Sequence, residues 1–233
     1  MPIIDCRGED NRVQLVQNFE ILPLSHVRLL NGQTKESCAG PTLDREYYVF
    51  SYRNYTNPRD TGTFVCGITV ANDFINLIQR QNPTVNRLPL FDPLAGFGQV
   101  GNLNNTGQTR TGGGRQVPNW NPIAKELYDA IGMICLMWNL DNVGGALESV
   151  LLNLVRNPMC IPNDSDIRSV NTIISNHFNM DINNQRIASL ALCFQDFMNR
   201  HRVPNPPLIQ FPNLTAYFNQ NVANNWNPAP YFN

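Results

Sequence analysis

The chain has 233 residues, 42% of them hydrophobic and 15% charged, and seventeen basic against eighteen acidic residues leave a net charge of −1. That length suits one large domain or two small ones, burying about 70% of the unfolded surface. The charge balance excludes a nucleic-acid binder that works by bulk positive charge, and equally an acidic solvating tail.

Charged residues fall below the usual share of about a quarter. The 33 Asn and 12 Gln fill the gap, and among the cations only Lys35 and Lys125 are lysines. No run approaches the roughly 18 apolar residues of a membrane span. The opening MPIIDCRGED has neither the basic nor the apolar part of an export signal. A soluble, cytoplasmic α+β protein is expected. The six cysteines, Cys6, Cys38, Cys66, Cys135, Cys160 and Cys193, form no C-x-x-C pair and no Cys–His cluster. Without an export signal, all six are expected as free thiols.

Residues 1–93 read as a β-rich α+β module. In 11–31, two short apolar segments broken at Pro23 suit either two strands or a short helix and a strand. REYYVFSYRN and GTFVCG are aromatic and β-branched, with NPRD supplying turn chemistry between them, so 45–68 reads as an antiparallel hairpin. VANDFINLIQRQ follows, with Ile68, Phe74, Ile75, Leu77 and Ile78 spaced for one amphipathic helix.

Residues 94–120 form a glycine-rich loop or linker. The stretch 94–118 holds seven of the fifteen glycines and almost no large apolar side chain, so it packs no core of its own. It is expected to be the most mobile internal segment, over 100–116.

Residues 121–202 read as a helical module. Asn121-Pro122 caps and opens a helix carrying Ile123, Leu127, Ile131, Ile134 and Trp138 on one face. A second helix is expected from Asp141, and a third is capped by Asn163, Asp164 or Ser165. A fourth spans about 184–201. Residues 203–233 form a tail with no charge after Arg202. Its six aromatics are too much apolar area to leave in water. Pro204, Pro206 and Pro207 make an extended spacer, which favours docking on a neighbouring subunit or partner over docking on the chain's own helices.

Several residues invite chemistry. Cys6 and Arg12 fit C-x5-R in the order strand, loop, helix. This resembles the anion-cradling loop of protein phosphatases, the resemblance covering this loop alone. Arg would grip a phosphate, the thiolate would attack it, and Asp92 is the general acid to consider. Against this, Glu9 and Asp10 bring negative charge into the loop. Cys66 precedes a helix, whose N-terminus can lower a thiol's pKa, and His26 could serve as its base. Gly96, Gly98 and Gly101 show G-x-G-x-x without the strand and helix that a dinucleotide fingerprint requires.

Arg110 and Arg115 flank TGGG and could bind phosphate or carboxylate. His177 and Asp181 share helical spacing but lack a third ligand, so no metal is expected. His201 suits the C-terminal end of a helix dipole. There is no G-x-S-x-G, no Walker loop, and no E-x-K or D-x-K triplet.

Three function classes remain, and none calls for a cofactor. The first is a non-catalytic interaction or self-assembly protein that docks through Tyr217, Phe218, Trp226, Tyr231 and Phe232. The second is a nucleotide or nucleic-acid binder using Arg110 and Arg115. The third is a cysteine-dependent hydrolase built on Cys6 and Arg12, or on Cys66 with His26. A protein partner or a second copy is the expected partner, and no membrane is.

Overall fold

The computed structural model describes residues 4–95, 119–140, 143–178, 189–223 and 230–233. A β-rich, helix-containing N-terminal region is followed by helices, so the class is α+β. The chain gathers into two compact units, one of residues 1–92 and 131–157, the other of 93–130 and 158–233. Linear composition does not display this grouping.

The first unit is built on a three-stranded antiparallel sheet ordered β1 (Phe19–Arg28), β4 (Glu46–Asn54), β5 (Thr61–Cys66). The expected hairpin is β4–β5, and Asn54 accepts from the Thr56 and Asn57 amides at the turn. A helix precedes β1: α1 (Glu9–Asn18) passes directly into it, which settles the 11–31 alternatives as helix then strand. Glu9 and Asp10 lie in the first turn of α1, where carboxylates suit the positive end of the helix dipole.

Both faces of the sheet are covered. On one face Phe50, Phe64 and Phe74 of α2 (Ile68–Gln81) form an aromatic cluster, with ring centroids 5.3–5.6 Å apart. On the other, Tyr47, Val49 and Ser51 are buried, and α4 (Gly145–Arg156) packs on β1. That explains why β4 is buried almost continuously instead of alternating. The outer edge of β1 is closed by Phe91, which bridges Val27 in parallel. Its amide donates to His26 O at 2.8 Å, and its carbonyl accepts from Arg28 N at 3.0 Å. A small hairpin, β2 (Lys35–Glu36) and β3 (Thr42–Leu43), stands apart from this sheet.

The second unit is helical. In α3 (Pro122–Met137) residues up to 130 belong to it, and the later ones to the first unit. Asn121 caps α3 as expected, its Oδ1 accepting from Ile123 N at 3.0 Å. With it stand α5 (Asp164–Phe178) and α6 (Leu190–Arg200). Ser189 caps α6 through Leu192 N, so this helix starts later than the expected 184.

The described residues of the tail pack largely on their own unit, where the sequence favoured docking in trans. Within this unit α7 (Pro212–Tyr217) runs on into a π-helical turn at Phe218–Val222. Phe211, Leu214, Phe218, Val222 and Phe232 are each 0% exposed. Burial of such side chains is worth about 1.5–3 kcal/mol each before ordering costs. The carbonyls of Tyr231 and Phe232 accept from the Leu190 and Ala191 amides, capping α6, while Tyr231 N donates to Asn171. The spacer does not carry the chain away because Arg202 (φ 56°) and Asn205 (φ 49°) turn it in the left-handed region.

Buried Glu126 of α3 completes the docking. It accepts from Asn213 N, Asn213 Nδ2 and Leu214 N, satisfying the first amides of α7. Among the described residues no helix is long and apolar enough to cross a membrane.

Candidate functional site

The N-terminal candidates come together at one end of the sheet. Strand register aligns His26 of β1 with Tyr48 of β4, and Tyr48 with Cys66 of β5, all on the face that meets α2. His26 stacks on Tyr48 with centroids 4.1 Å apart and lies 3.4 Å from Glu46. Burial lowers the His26 pKa despite that carboxylate, and pushes Tyr48 up to about 12.

This row corrects the pairing of Cys66 with His26. Tyr48 stands between them, and strands two apart are separated by roughly 10 Å. Cys66 is 0% exposed, and burial drives its thiol strongly upward, overriding both the start of α2 and the nearby Arg12. It is held as a neutral thiol, the opposite of an activated nucleophile.

Cys6 is also corrected. It is bonded to Cys38, with Cα atoms 5.5 Å apart, so four cysteines are free instead of six. Residues 4–7 form no strand ahead of the loop. Arg12 does curl back toward Cys6, its Nη1 donating to the Cys6 carbonyl at 3.1 Å. Its Nη2 is committed to Asp73 of α2 at 3.0 Å. The guanidinium clamps α1 to α2 and the Cys6 backbone, where a phosphate grip was expected. Asp92, the proposed acid, pairs with Arg28.

Beside this cluster lies a cleft of about 350 Å³, within the range of small-ligand pockets. Ser37, Pro41 and Thr42 of the β2–β3 hairpin form one wall, and Gly67 and Thr69 at the start of α2 form another. Glu46 also lines it, linking it to His26. Gly67, the N-cap of α2, offers no side chain to the first-turn amides, so polar backbone borders the cleft. Hydroxyls, amides, Arg45 and Glu46 can hydrogen-bond a small polar molecule there; no thiolate is poised to attack it. Sequence reasoning missed this cleft because its walls come from two separated segments, 37–46 and 67–70.

The remaining candidates divide. Tyr217 is half-buried and donates to Asp164 at 3.0 Å, Tyr231 is half-buried, and Phe218 and Phe232 are core. His201 follows α6, its ring 4.5 Å from that of Phe197. Trp226, Arg110, Arg115, Asp181, the side chain of His177 and the expected mobile stretch 100–116 lie outside the described residues.

Fold and geometry therefore define an α+β protein with a disulfide between Cys6 and Cys38 and a cleft lined by residues on either side of Cys38. A family profile described as "Uncharacterised conserved protein UCP028583" matches residues 4–198, most of the chain, and the chain belongs to that family. The match takes in Cys6, Arg12, His26, Cys38 and Cys66. No curated protein and no solved structure matches the chain.

Proposed function

We propose that the chain is a non-catalytic interaction protein that associates with a second copy through the loop between α4 and α5. The observation that carries this is the run Met159, Cys160, Ile161, three consecutive exposed residues with Met159 at 71% and Ile161 at 51%. Consecutive exposed apolar residues are unfavourable on a surface unless something covers them. Pro158 O accepts from Asn121 N at 2.8 Å and Pro162 is buried, so the display is fixed in advance and loses little freedom on docking. The run has no charge, so two copies meeting about a twofold axis face no like-charge penalty within it. Phe211, Phe218 and Phe232 of the tail are spent in the core and leave this loop as the apolar surface on offer.

Solution mass measured across a wide concentration range tests this, under reducing conditions so that Cys160 cannot cross-link. A dimer that weakens in Met159→Ser/Ile161→Ser is expected. A protein that stays monomeric throughout overturns it.

The cleft favours a second reading, binding of a small polar ligand. Thermal-shift screening with nucleotides, sugar phosphates and carboxylic acids tests it, with Thr42→Val and Arg45→Gln as the variants that should abolish any shift.

A further inference from the structure

The link between Cys6 and Cys38 sits where it can control the cleft. Cys38 belongs to the turn Ser37–Gly40, closed by Gly40 N donating to Ser37 O at 2.8 Å, with Gly40 at φ +103°. The residues on either side of Cys38, Ser37 and Ala39, line the cleft. This turn ends a hairpin whose strands have only two residues each. Three hydrogen bonds otherwise hold it: Cys38 N to Val65 O at 2.8 Å, Cys6 N to Cys38 O at 3.3 Å, and Arg7 Nε to Ala39 O at 3.2 Å. Two of the three reach back to the segment that the disulfide secures.

We propose that the Cys6–Cys38 disulfide is a redox latch on the cleft, opened by a dithiol reductant and closed again by the reverse exchange with a disulfide oxidant, which is reduced to its dithiol. Cys38 is partly exposed whereas Cys6 is buried, so the incoming thiolate attacks the Cys38 sulfur. The S–S bond breaks and Cys6 leaves as a thiolate, beside the positive charge that Arg12 brings to its carbonyl. The second thiolate of the reductant attacks the mixed disulfide and releases Cys38. The reductant ends as a disulfide, two electrons pass to the protein, and its two thiol protons end on Cys6 and Cys38. With the covalent link gone, the turn loses its fixed attachment to Cys6, and this wall opens locally while the sheet stays closed. This goes beyond self-association, which uses the other unit.

The experiment uses the full chain carrying Cys160→Ser, titrated with dithiothreitol under native conditions and quenched by alkylation. Peptide mass spectrometry and amide exchange are read together. Labelling is expected at Cys6 and Cys38 alone, with exchange over 36–43 rising by about tenfold or more while β4 is unchanged. Cys38→Ser should reproduce the reduced profile without reductant. Three results overturn the latch: all five remaining cysteines free before treatment, opening only together with labelling of Cys66 and Cys135, or opening with no change over 36–43.

Discussion

The ring of Phe91 occupies the space that a side chain on Gly132 would need: a Cβ there would stand 2.7 Å from the ring's Cγ. Phe91 is 1% exposed and tied to β1 through both backbone groups, so the ring has little room to retreat. Alanine gains up to about 1 kcal/mol of helix propensity, but overpacking costs roughly 1–3 kcal/mol. Gly132→Ala is expected to lose about 1 kcal/mol in urea denaturation and Gly132→Val more, with Phe91→Leu recovering part of either loss. A more stable Gly132→Ala would mean that the ring yields freely.

Removing the staple should be expensive. The bond closes a separation of 32 residues, for which the chain-entropy relation gives about 3–4 kcal/mol. Cys6→Ser/Cys38→Ser should unfold at correspondingly lower denaturant, while fully reduced wild type matches it. Equal midpoints for oxidised wild type and the double variant would remove any stabilising role.

In unreduced native protein, alkylation should label one thiol quickly. Cys160 is exposed; Cys66, Cys135 and Cys193 are buried, and burial pushes Cys135 up to about 12 and Cys193 to about 11. Fast labelling at Cys66 would reopen the nucleophile reading.

The pH dependence of stability carries a signature of His26. Burial sets its pKa below the ordinary 6.5. Between the two values the unfolded chain binds a proton that the fold does not, so this contribution rises with pH and levels off above 6.5. Glu126 and Asp129 act oppositely, because burial raises both and their contributions fall as pH climbs above 4.5 and 3.8. The stability of wild type minus that of His26→Phe isolates the imidazole. The difference should rise with pH and then flatten. A difference independent of pH would show that the folded imidazole titrates like a free one.

Glu126 is expected to matter more than its place in a helical stripe suggests. Glu126→Ala leaves the Asn213 and Leu214 amides without their acceptor, at about 2–4 kcal/mol. Limited proteolysis should then cut within 204–223 before any other helix. Unchanged resistance there would show that aromatic burial alone holds the tail.

Much of the fold was legible because it is local. The aromatic and β-branched runs of β4 and β5, the spacing of α2 and the Asn121-Pro122 cap each state their structure within a dozen residues. What stayed hidden depends on distance through space. Even spacing of six cysteines says nothing about which Cα atoms lie 5.5 Å apart. Proline content suggested an outward spacer, but the left-handed turns at Arg202 and Asn205 reverse it. The candidate site was legible only in part: Arg12 reaches both the Cys6 carbonyl and the neighbourhood of Cys66, but Tyr48 separates His26 from Cys66, and burial and pairing, which sequence does not display, set their roles.

The chain passes from one unit to the other three times, at 92/93, 130/131 and 157/158. Severing it in the glycine-rich stretch therefore yields no pair of self-sufficient halves. A fragment of 1–93 lacks α4 and the later part of α3, leaving β1 and Phe91 without the cover they have in the whole protein. A fragment of 121–233 carries those same helices with no sheet to receive them. Such pieces are matched halves for reassembly: refolded together, they are expected to recover secondary structure that neither holds alone.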